Sequence, residues 1–462
     1  MNPQPLQFRT APALAGFTLF LSTIAPIATA QSCDPQGLAT LVPIGDPTAA
    51  GFGESAAMSG DVVVVSTSSS DALGYEAATV HVYRRVSDVW MHEALLLPPG
   101  GSSAIGFGAS VAVDGDTVVV GADGDTEFGQ GAGAAYTYRF DGAAWQFEAK
   151  LVSSTTSASD NFGSSVAISE GTLIVGAPRD RVNKIASGSA TVFEFDGVLW
   201  SEQRLLLPPI ANHGDLFGFA AALDSGLAVI SMPRAGFDSV PLAAQSLVFR
   251  RSDGEWSHEY SIPSGVQSGV WVDIDGETVV IGMPGNDNNT GEAVVYKSRL
   301  DLTPVLWQRQ ARLSQTDGGF LDRFGRAVSV SGTTVAVGAP GHGSSGSVYI
   351  FQRSNNEWPE SHELISPGLE PGGQFGNSVM LRSGTIVVGA PDSGGSAHLL
   401  SINCTIPCTP DFDQSGTLDV FDVFAFLTAF NAMEPAADLV GEGFWNIYDV
   451  FAFLDLFNAG CP

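Results

Sequence analysis

The sequence predicts a mainly β protein, a seven-bladed propeller closed by its own N-terminal strand, with a small all-α domain after it. Three observations carry this reading. A phrase of Phe-Gly, apolar strand, Gly-containing turn, second apolar strand and often Gly-Ala-Pro recurs, with its start at Phe52-Gly53, Phe107-Gly108, Phe162-Gly163, Phe217-Gly218, Phe324-Gly325 and Phe375-Gly376. The first three spacings (107−52, 162−107 and 217−162) each equal 55, and a fixed period of this size marks one supersecondary unit copied along the chain. Six of the eight tryptophans (Trp90, Trp145, Trp200, Trp256, Trp307 and Trp358) recur at one place in that period. Beyond residue 410 a different pattern, an acidic loop running into an apolar stretch, appears twice, 27 residues apart (438−411).

Residues 1–30 read as a secretion signal. Arg9 is their only charge, an apolar run from Ala11 to Ile27 holds Pro12 and Pro26, and Ala28-Thr29-Ala30 is a small-x-small cleavage pattern. The expected location is therefore secreted or at the cell surface, with no transmembrane segment after cleavage. The chain carries 20 basic and 49 acidic residues, a formal charge of −29. Nucleic acid and anionic membranes, which need clustered Lys and Arg, are excluded as partners. The four cysteines, Cys33, Cys404, Cys408 and Cys461, all lie outside the repeats; an even number in an exported chain reads as disulfides.

Residues 31–403 form the propeller. In the period that starts at Phe107, Ala109–Val113 is a strand of small and β-branched residues, and Asp114-Gly115-Asp116 turns it into a second strand, Thr117–Gly121. A polar loop from Asp123 to Gly133 leads to a third strand, Ala134–Phe140, and Asp141-Gly142 turns it into a fourth, Trp145–Val152. Four antiparallel strands of this size make one blade. The small residues of the first strand place it innermost, at a crowded axis, and the recurrent Trp fills a gap between blades. Val270–Pro284 supplies the copy that lacks Phe-Gly, which brings the count to seven. The last copy ends near Asn403 after three strands, and Gly37–Pro43 resembles a fourth. The N-terminus is thus expected to complete the last blade, removing both exposed edges and bringing Cys33 to Cys404 as a disulfide.

The run from Phe107 to Ala122, with Gly-Ala-Pro at 176–178, 338–340 and 389–391, resembles FG-GAP repeats. Those repeats build the seven-bladed propeller of integrin α-subunit heads and of many bacterial surface proteins. Integrin blades that bind calcium carry a DxDxDG loop between the first two strands. Here only short turns stand there, such as Ser59-Gly60-Asp61, Glu170-Gly171-Thr172 and Ser331-Gly332-Thr333, so no calcium is expected in the blades.

A linker, 404–410, precedes the second domain, 411–462. Its first loop places Asp411, Asp413, Ser415, the Thr417 carbonyl, Asp419 and Asp422 at positions 1, 3, 5, 7, 9 and 12 of an EF-hand-type calcium loop, with Gly416 at the sharp bend. The second keeps Asp438, Glu442, the Phe444 carbonyl, Asn446 and Asp449 but has Val440 at position 3, so weaker Ca²⁺ binding is expected there. Each loop enters a near-identical helix, 420–431 and 447–458. Phe424, Leu427 and Phe430, and Phe451, Leu454 and Phe457, are expected to form the packed faces. Two such units with Asp at position 12 resemble dockerin, and the Asn-Ala-Gly-Cys-Pro ending (458–462) resembles Gly-Cys-terminated dockerin-type anchoring domains. The resemblance implies a calcium-dependent docking module that joins the propeller to another protein or to the cell surface. It places partner contacts at loop positions 10 and 11, here Val420, Phe421, Ile447 and Tyr448. Cys408 and Cys461 flank the module and are expected to clasp its ends.

No G-x-S-x-G, HExxH or P-loop occurs and the seven histidines are scattered. The expected function is therefore a non-catalytic interaction or adhesion-type propeller with a protein or glycan ligand, not an enzyme. The alternative is a secreted hydrolase acting on polysaccharide with an appended docking module. The long loops should share one face and form a rim of Asp123, Asp125, Glu127, Arg179, Asp180, Arg181, Arg234, Asn286, Asp287, Asn288, Asn289 and His342, with Asp160, His213, Asp215, Asp317 and Asp322.

Overall fold

A computed structural model describes residues 36–44, 51–67, 78–99, 104–182, 185–233, 244–263, 271–300, 302, 304–354, 357–366, 369–392, 394–402, 412, 420–433, 437, 450 and 453–454. The chain divides into two compact units, Met1–Ser32 and Cys33–Pro462. The first, with the whole of the expected secretion signal, lies outside the described residues, as do all four cysteines and their two expected disulfides.

The second unit contains seven four-stranded antiparallel sheets. Blade 1 runs Ala56–Ser59, Val62–Ser66, Val80–Val86 and Val89–Leu96; blade 2 runs Phe107–Asp114, Thr117–Ala122, Ala134–Phe140 and Trp145–Leu151. Blades 3 to 6 begin at Ser165, Ala221, Trp271 and Ala327, and blade 7 at Ser378. The copy without Phe-Gly is a full blade, Trp271–Asp275, Thr278–Met283, Glu292–Arg299 and Leu306–Leu313. First strands of successive blades are neighbours, and that of blade 7 touches that of blade 1, so the ring closes.

The closure is the expected one. Gln36–Leu41 pairs antiparallel with Ser396–Ser401, in register Leu41↔Ala397 and Thr40↔His398, with a bulge between Gly37 and Ala39. The join is reinforced on its far side: the Tyr83 hydroxyl of blade 1 donates to the Val42 carbonyl at 2.5 Å. Tyr138 repeats this one blade on, donating to the Leu97 carbonyl at 2.7 Å. Burial pushes both phenols far above their ordinary pKa.

The first turn of every blade is a two-residue hairpin loop, and the place of its glycine sets its type. Gly60, Gly115, Gly276 and Gly332 stand first and alone take positive φ; where Gly171, Gly226 and Gly384 stand second, the residue before them is positive as well. These are the two primed geometries that match strand twist. No blade has room there for a long acidic loop.

The core lies between blades rather than within them. Seven apolar clusters each draw from two neighbouring blades, and the one that joins blades 7 and 1 includes Leu41, Val387, Leu399, Phe52 and Val63. All six repeat phenylalanines are fully buried. The glycine after each has positive φ, and after five of them a Cβ would run into backbone. Gly163 has φ +92°, and a Cβ on it would lie 2.3 Å from the Ala134 carbonyl oxygen of the preceding blade. Its amide donates to the Gly176 carbonyl of its own blade at 2.9 Å, while its carbonyl oxygen accepts from Ser110 Oγ of the preceding blade at 2.9 Å. The same contact closes the ring, Ser378 Oγ to the Gly53 carbonyl at 2.8 Å. Phe-Gly is therefore the joint between blades, and the Gly of Gly-Ala-Pro is the surface it presses on.

The tryptophans do more than fill gaps. The Trp145 indole N–H donates to Glu93 at 2.7 Å, Trp200 to Glu148 at 2.7 Å and Trp307 to Glu259 at 3.0 Å, each acceptor lying on the fourth strand of the preceding blade. Each Glu also holds an Arg on its own third strand, in the pairs Arg84–Glu93, Arg139–Glu148 and Arg250–Glu259. Two of these arginines lie over the next blade's aromatic ring, Arg84 over Phe140 at 4.4 Å and Arg139 over Phe195 at 4.0 Å. Where the acceptor position is Gln203 or Gln310, the next indole N–H, of Trp256 or Trp358, is buried without a partner. Gln310→Glu is thus expected to stabilise the protein by about 1 kcal/mol, read as a higher melting temperature, with Lys297 as its cross-strand cation. Gln203→Glu should gain less, because Glu194 stands where Arg139 stands in blade 2. Equal gains from both would refute this account.

At the C-terminus the described residues show one helix, Val420–Asn431, with helical positions at 450 and 453–454.

Candidate functional site

The seven first strands line a central cavity of about 500 Å³. Its wall is built mostly of small residues in blades 1 to 3 and changes from blade 4 onward. Phe219 and Arg326 directly follow the Phe-Gly pairs of blades 4 and 6, where Ala109 and Ser164 follow those of blades 2 and 3. The Arg326 guanidinium lies 4.3 Å over the Trp271 ring, the Phe219 and Trp271 rings meet edge-on at 5.5 Å, and Glu54 faces Arg326 at 3.8 Å. Burial lowers the Arg326 pKa, against the opposing pull of Glu54. Below this, Asp273 accepts from Ser329 Oγ at 2.7 Å and the Val330 amide at 2.9 Å, with Arg382 at 3.5 Å. The cavity therefore has one aromatic, cationic wall suited to a small polar ligand. None of these residues was marked by composition; the readable signal was their departure from the Ser-Val-Ala pattern of the other first strands.

Around the base of the ring, first-strand ends hold the next blade's turn. Ser59 Oγ accepts from the Gly115 amide at 3.1 Å, Asp114 from Glu170 at 2.8 Å, Ser169 from Ser225 at 3.3 Å and Asp224 from Gly276 at 2.6 Å. Asp275 accepts from the Gly332 amide in the same way. These aspartates are structural.

The long loops do share one face. The loop entering blade 3 bonds to the long loop of blade 2 through Ser159 N to the Gln130 carbonyl at 2.9 Å and Asn161 N to the Gly131 carbonyl at 3.0 Å. Most of the expected rim acids, however, brace their own loops. Asp160, Asp215 and Asp322, two residues before the phenylalanine, accept from the amides of Ser157, Asn212 and Gly319, each at 2.6 Å. Burial raises the Asp160 pKa despite these amides. Burial likewise raises Asp123, against its backbone amides and Arg179. Asp125 is buried under the Tyr136 hydroxyl at 2.6 Å and Lys150 at 2.9 Å, and Lys150 also takes Glu127 at 2.6 Å. Asp180 accepts from Ser189 Oγ at 2.6 Å. Asn286 donates to Glu292 at 2.6 Å and opens a single helical turn, Asn286–Asn289. Arg181 is exposed on a two-residue ribbon strand, and His213 accepts from the Ala186 amide at 3.3 Å. Arg234 and the side chains of Asp287 and Asn288 lie outside the described residues.

One rim cluster is of another kind. In blade 6, Asp317, His342 and Glu363 bring one ligand atom each within 4.8 Å of one another. Glu363 had no sequence signal, because it lies in a strand 21 residues beyond His342 (363−342).

Of the expected calcium ligands, Asp411, Asp413, Ser415, Thr417, Asp419, Asp438, Glu442, Phe444, Asn446 and Asp449 lie outside the described residues, with the side chains of Val420 and Phe421 and with Ile447 and Tyr448. Asp422 is described: it is fully buried in the first turn of the helix. The packed face differs from the expected one. Phe426, Ala429, Ala437 and Phe453 form the cluster, with Phe412, Val423, Phe430 and Val450 against it. Phe424, Leu427 and Leu454 are 60%, 39% and 40% exposed. Positions 423, 426 and 430 fit helical spacing as well as 424, 427 and 430 do, so periodicity alone could not choose. Phe426 and Phe453 occupy the same place in the two repeats (453−426 = 27) and stack at 4.2 Å, 3° from parallel.

Residues 90–138, 145–193 and 307–351 match the FG-GAP repeat. The chain carries FG-GAP repeats. Each matched FG-GAP segment begins at the tryptophan of one blade and ends in the third strand of the next, so the sequence unit straddles the joint that the glycines and indoles make. No curated protein matches the chain significantly.

Proposed function

We propose that this is a non-catalytic interaction propeller of adhesion type, exported and held to a partner protein or the cell surface by a dockerin-like, calcium-dependent module at residues 411–462. The observation that carries the docking half is the internal symmetry of the helical cluster. Equivalent phenylalanines stack inside it while the equivalent leucines Leu427 and Leu454 stay exposed, as a duplicated module with an outward apolar stripe requires. The donor set fits calcium, since every proposed ligand offers oxygen. Asp411, Asp413, Ser415, Thr417, Asp419 and Asp422 would hold one ion; Asp438, Glu442, Phe444, Asn446 and Asp449 would hold a second, weaker one. Bound calcium would take the Asp422 carboxylate into its oxygen shell, with no catalytic part. The binding half rests on the propeller and its aromatic cavity wall.

Calcium should raise the melting temperature of a distinct transition in the full chain. An ion at about 100 times its dissociation constant adds about 2.7 kcal/mol. Asp422→Ala should remove the shift, and chelator should release proteins captured by the full chain from envelope extracts. If calcium leaves both melting and capture unaltered, the docking reading fails.

A further inference from the structure

We infer that Asp317, His342 and Glu363 form a zinc-type divalent metal site on the long-loop face of blade 6. His342 Nε2 lies 3.5 Å from Asp317 Oδ2 and 3.6 Å from Glu363 Oε1. Both distances exceed an ordinary N–H···O hydrogen bond of about 2.9 Å. They equal the roughly 3.3–3.6 Å that separates two ligands of a tetrahedral ion bonded at about 2.0–2.2 Å. The other end of the imidazole is fixed, with Nδ1 2.8 Å from Asp322 Oδ2. Asp322 is itself buried and held by the Gly319 amide at 2.6 Å and by Gln315. That contact puts the ring proton on Nδ1 and leaves the Nε2 lone pair facing the two carboxylates.

Each ligand also carries an outer hydrogen bond. The Tyr349 hydroxyl donates to Asp317 Oδ1 at 2.9 Å, which leaves Oδ2 toward the histidine. Ser347 Oγ donates to Glu363 Oε1 at 2.6 Å. Three ligands, each oriented by a neighbour, is the pattern by which proteins set a metal's first shell. One imidazole with two carboxylates selects a borderline ion over calcium, which takes oxygen alone, and three protein ligands leave a fourth position open.

The test is calorimetric titration of zinc into the full-length chain with calcium in excess. The expected result is one saturable zinc per chain. Affinity should fall at least tenfold in His342→Ala and Asp317→Asn, and roughly tenfold in Asp322→Asn, where the carboxylate that orients the imidazole is lost. Cobalt should give visible d–d absorption that is lost in the same variants. Asp317 is half-exposed, so Asp317→Asn keeps the test open if His342→Ala does not fold. Absence of saturable zinc binding, or an isotherm unchanged in Asp317→Asn, would overturn the site. Calcium dependence of the C-terminal module is read separately and is unaffected by either outcome.

Discussion

Removing residues 36–43 from the full chain should lower the melting temperature by roughly 6 °C, because about 5 kcal/mol is lost and a domain as large as residues 31–403 shifts by only about 1.3 °C per kcal/mol. Leu41 is buried at the junction of blades 7 and 1, and losing such a side chain alone costs about 2–5 kcal/mol. The pairs from Gln36↔Ser401 to Leu41↔Ala397 disappear with it, and the Tyr83 hydroxyl loses the Val42 carbonyl. The strand Ser396–Ser401 then presents an unpaired edge, a template for aggregation. Leu41→Ala should give about 2–4 kcal/mol of the loss with the edge still paired. Scanning calorimetry of the two variants separates packing from edge protection, and an unchanged melt in the deletion would mean the ring does not depend on this strand.

Gly176→Ala should destabilise by about 3 kcal/mol or more, from a single methyl group. A Cβ there would lie 2.0 Å from the Gly218 carbonyl oxygen and 2.4 Å from Ser165 Oγ. The nearer atom is backbone of the next blade, which cannot swing aside, so the blades must separate; overpacking of this kind costs about 1–3 kcal/mol or more. Two glycines serve as controls. Gly142 has φ +94° with nothing within 4 Å of a Cβ, so alanine there costs only the backbone penalty of about 1–2 kcal/mol. Gly37 has neither restriction, and alanine there should be neutral within about 0.5 kcal/mol. Denaturant unfolding should give the order Gly176, Gly142, Gly37. The same order should fail if blade contacts were soft.

Much of this was legible because repetition amplifies weak signals. One Phe-Gly says little, but six with matching strands, turns and tryptophans locate every blade, including the Trp271 blade that lacks the motif. Closure was legible from subtraction, since a last blade short of one strand must find it elsewhere. At the rim, Asp160, Asp215 and Asp322 accept from amides three residues back, and such local backbone geometry is invisible in composition. The helix face was misjudged because Val420–Asn431 is apolar on two overlapping stripes, and only the partner at Phe453 decides which one is buried.

The sequence by itself determined the repeat, the seven blades, the closing strand and the turn types, since each follows from local periodicity and from where glycine permits positive φ. The tertiary structure decided what the repeats press on: the Gly218–Gly176 joint, the Arg139–Glu148–Trp200 relay, the Trp271–Arg326 wall and the Asp317–His342–Glu363 cluster. Each of these joins residues from different blades or loops. Such contacts depend on how copies are placed around an axis, a distance in space that spacing along the chain does not encode.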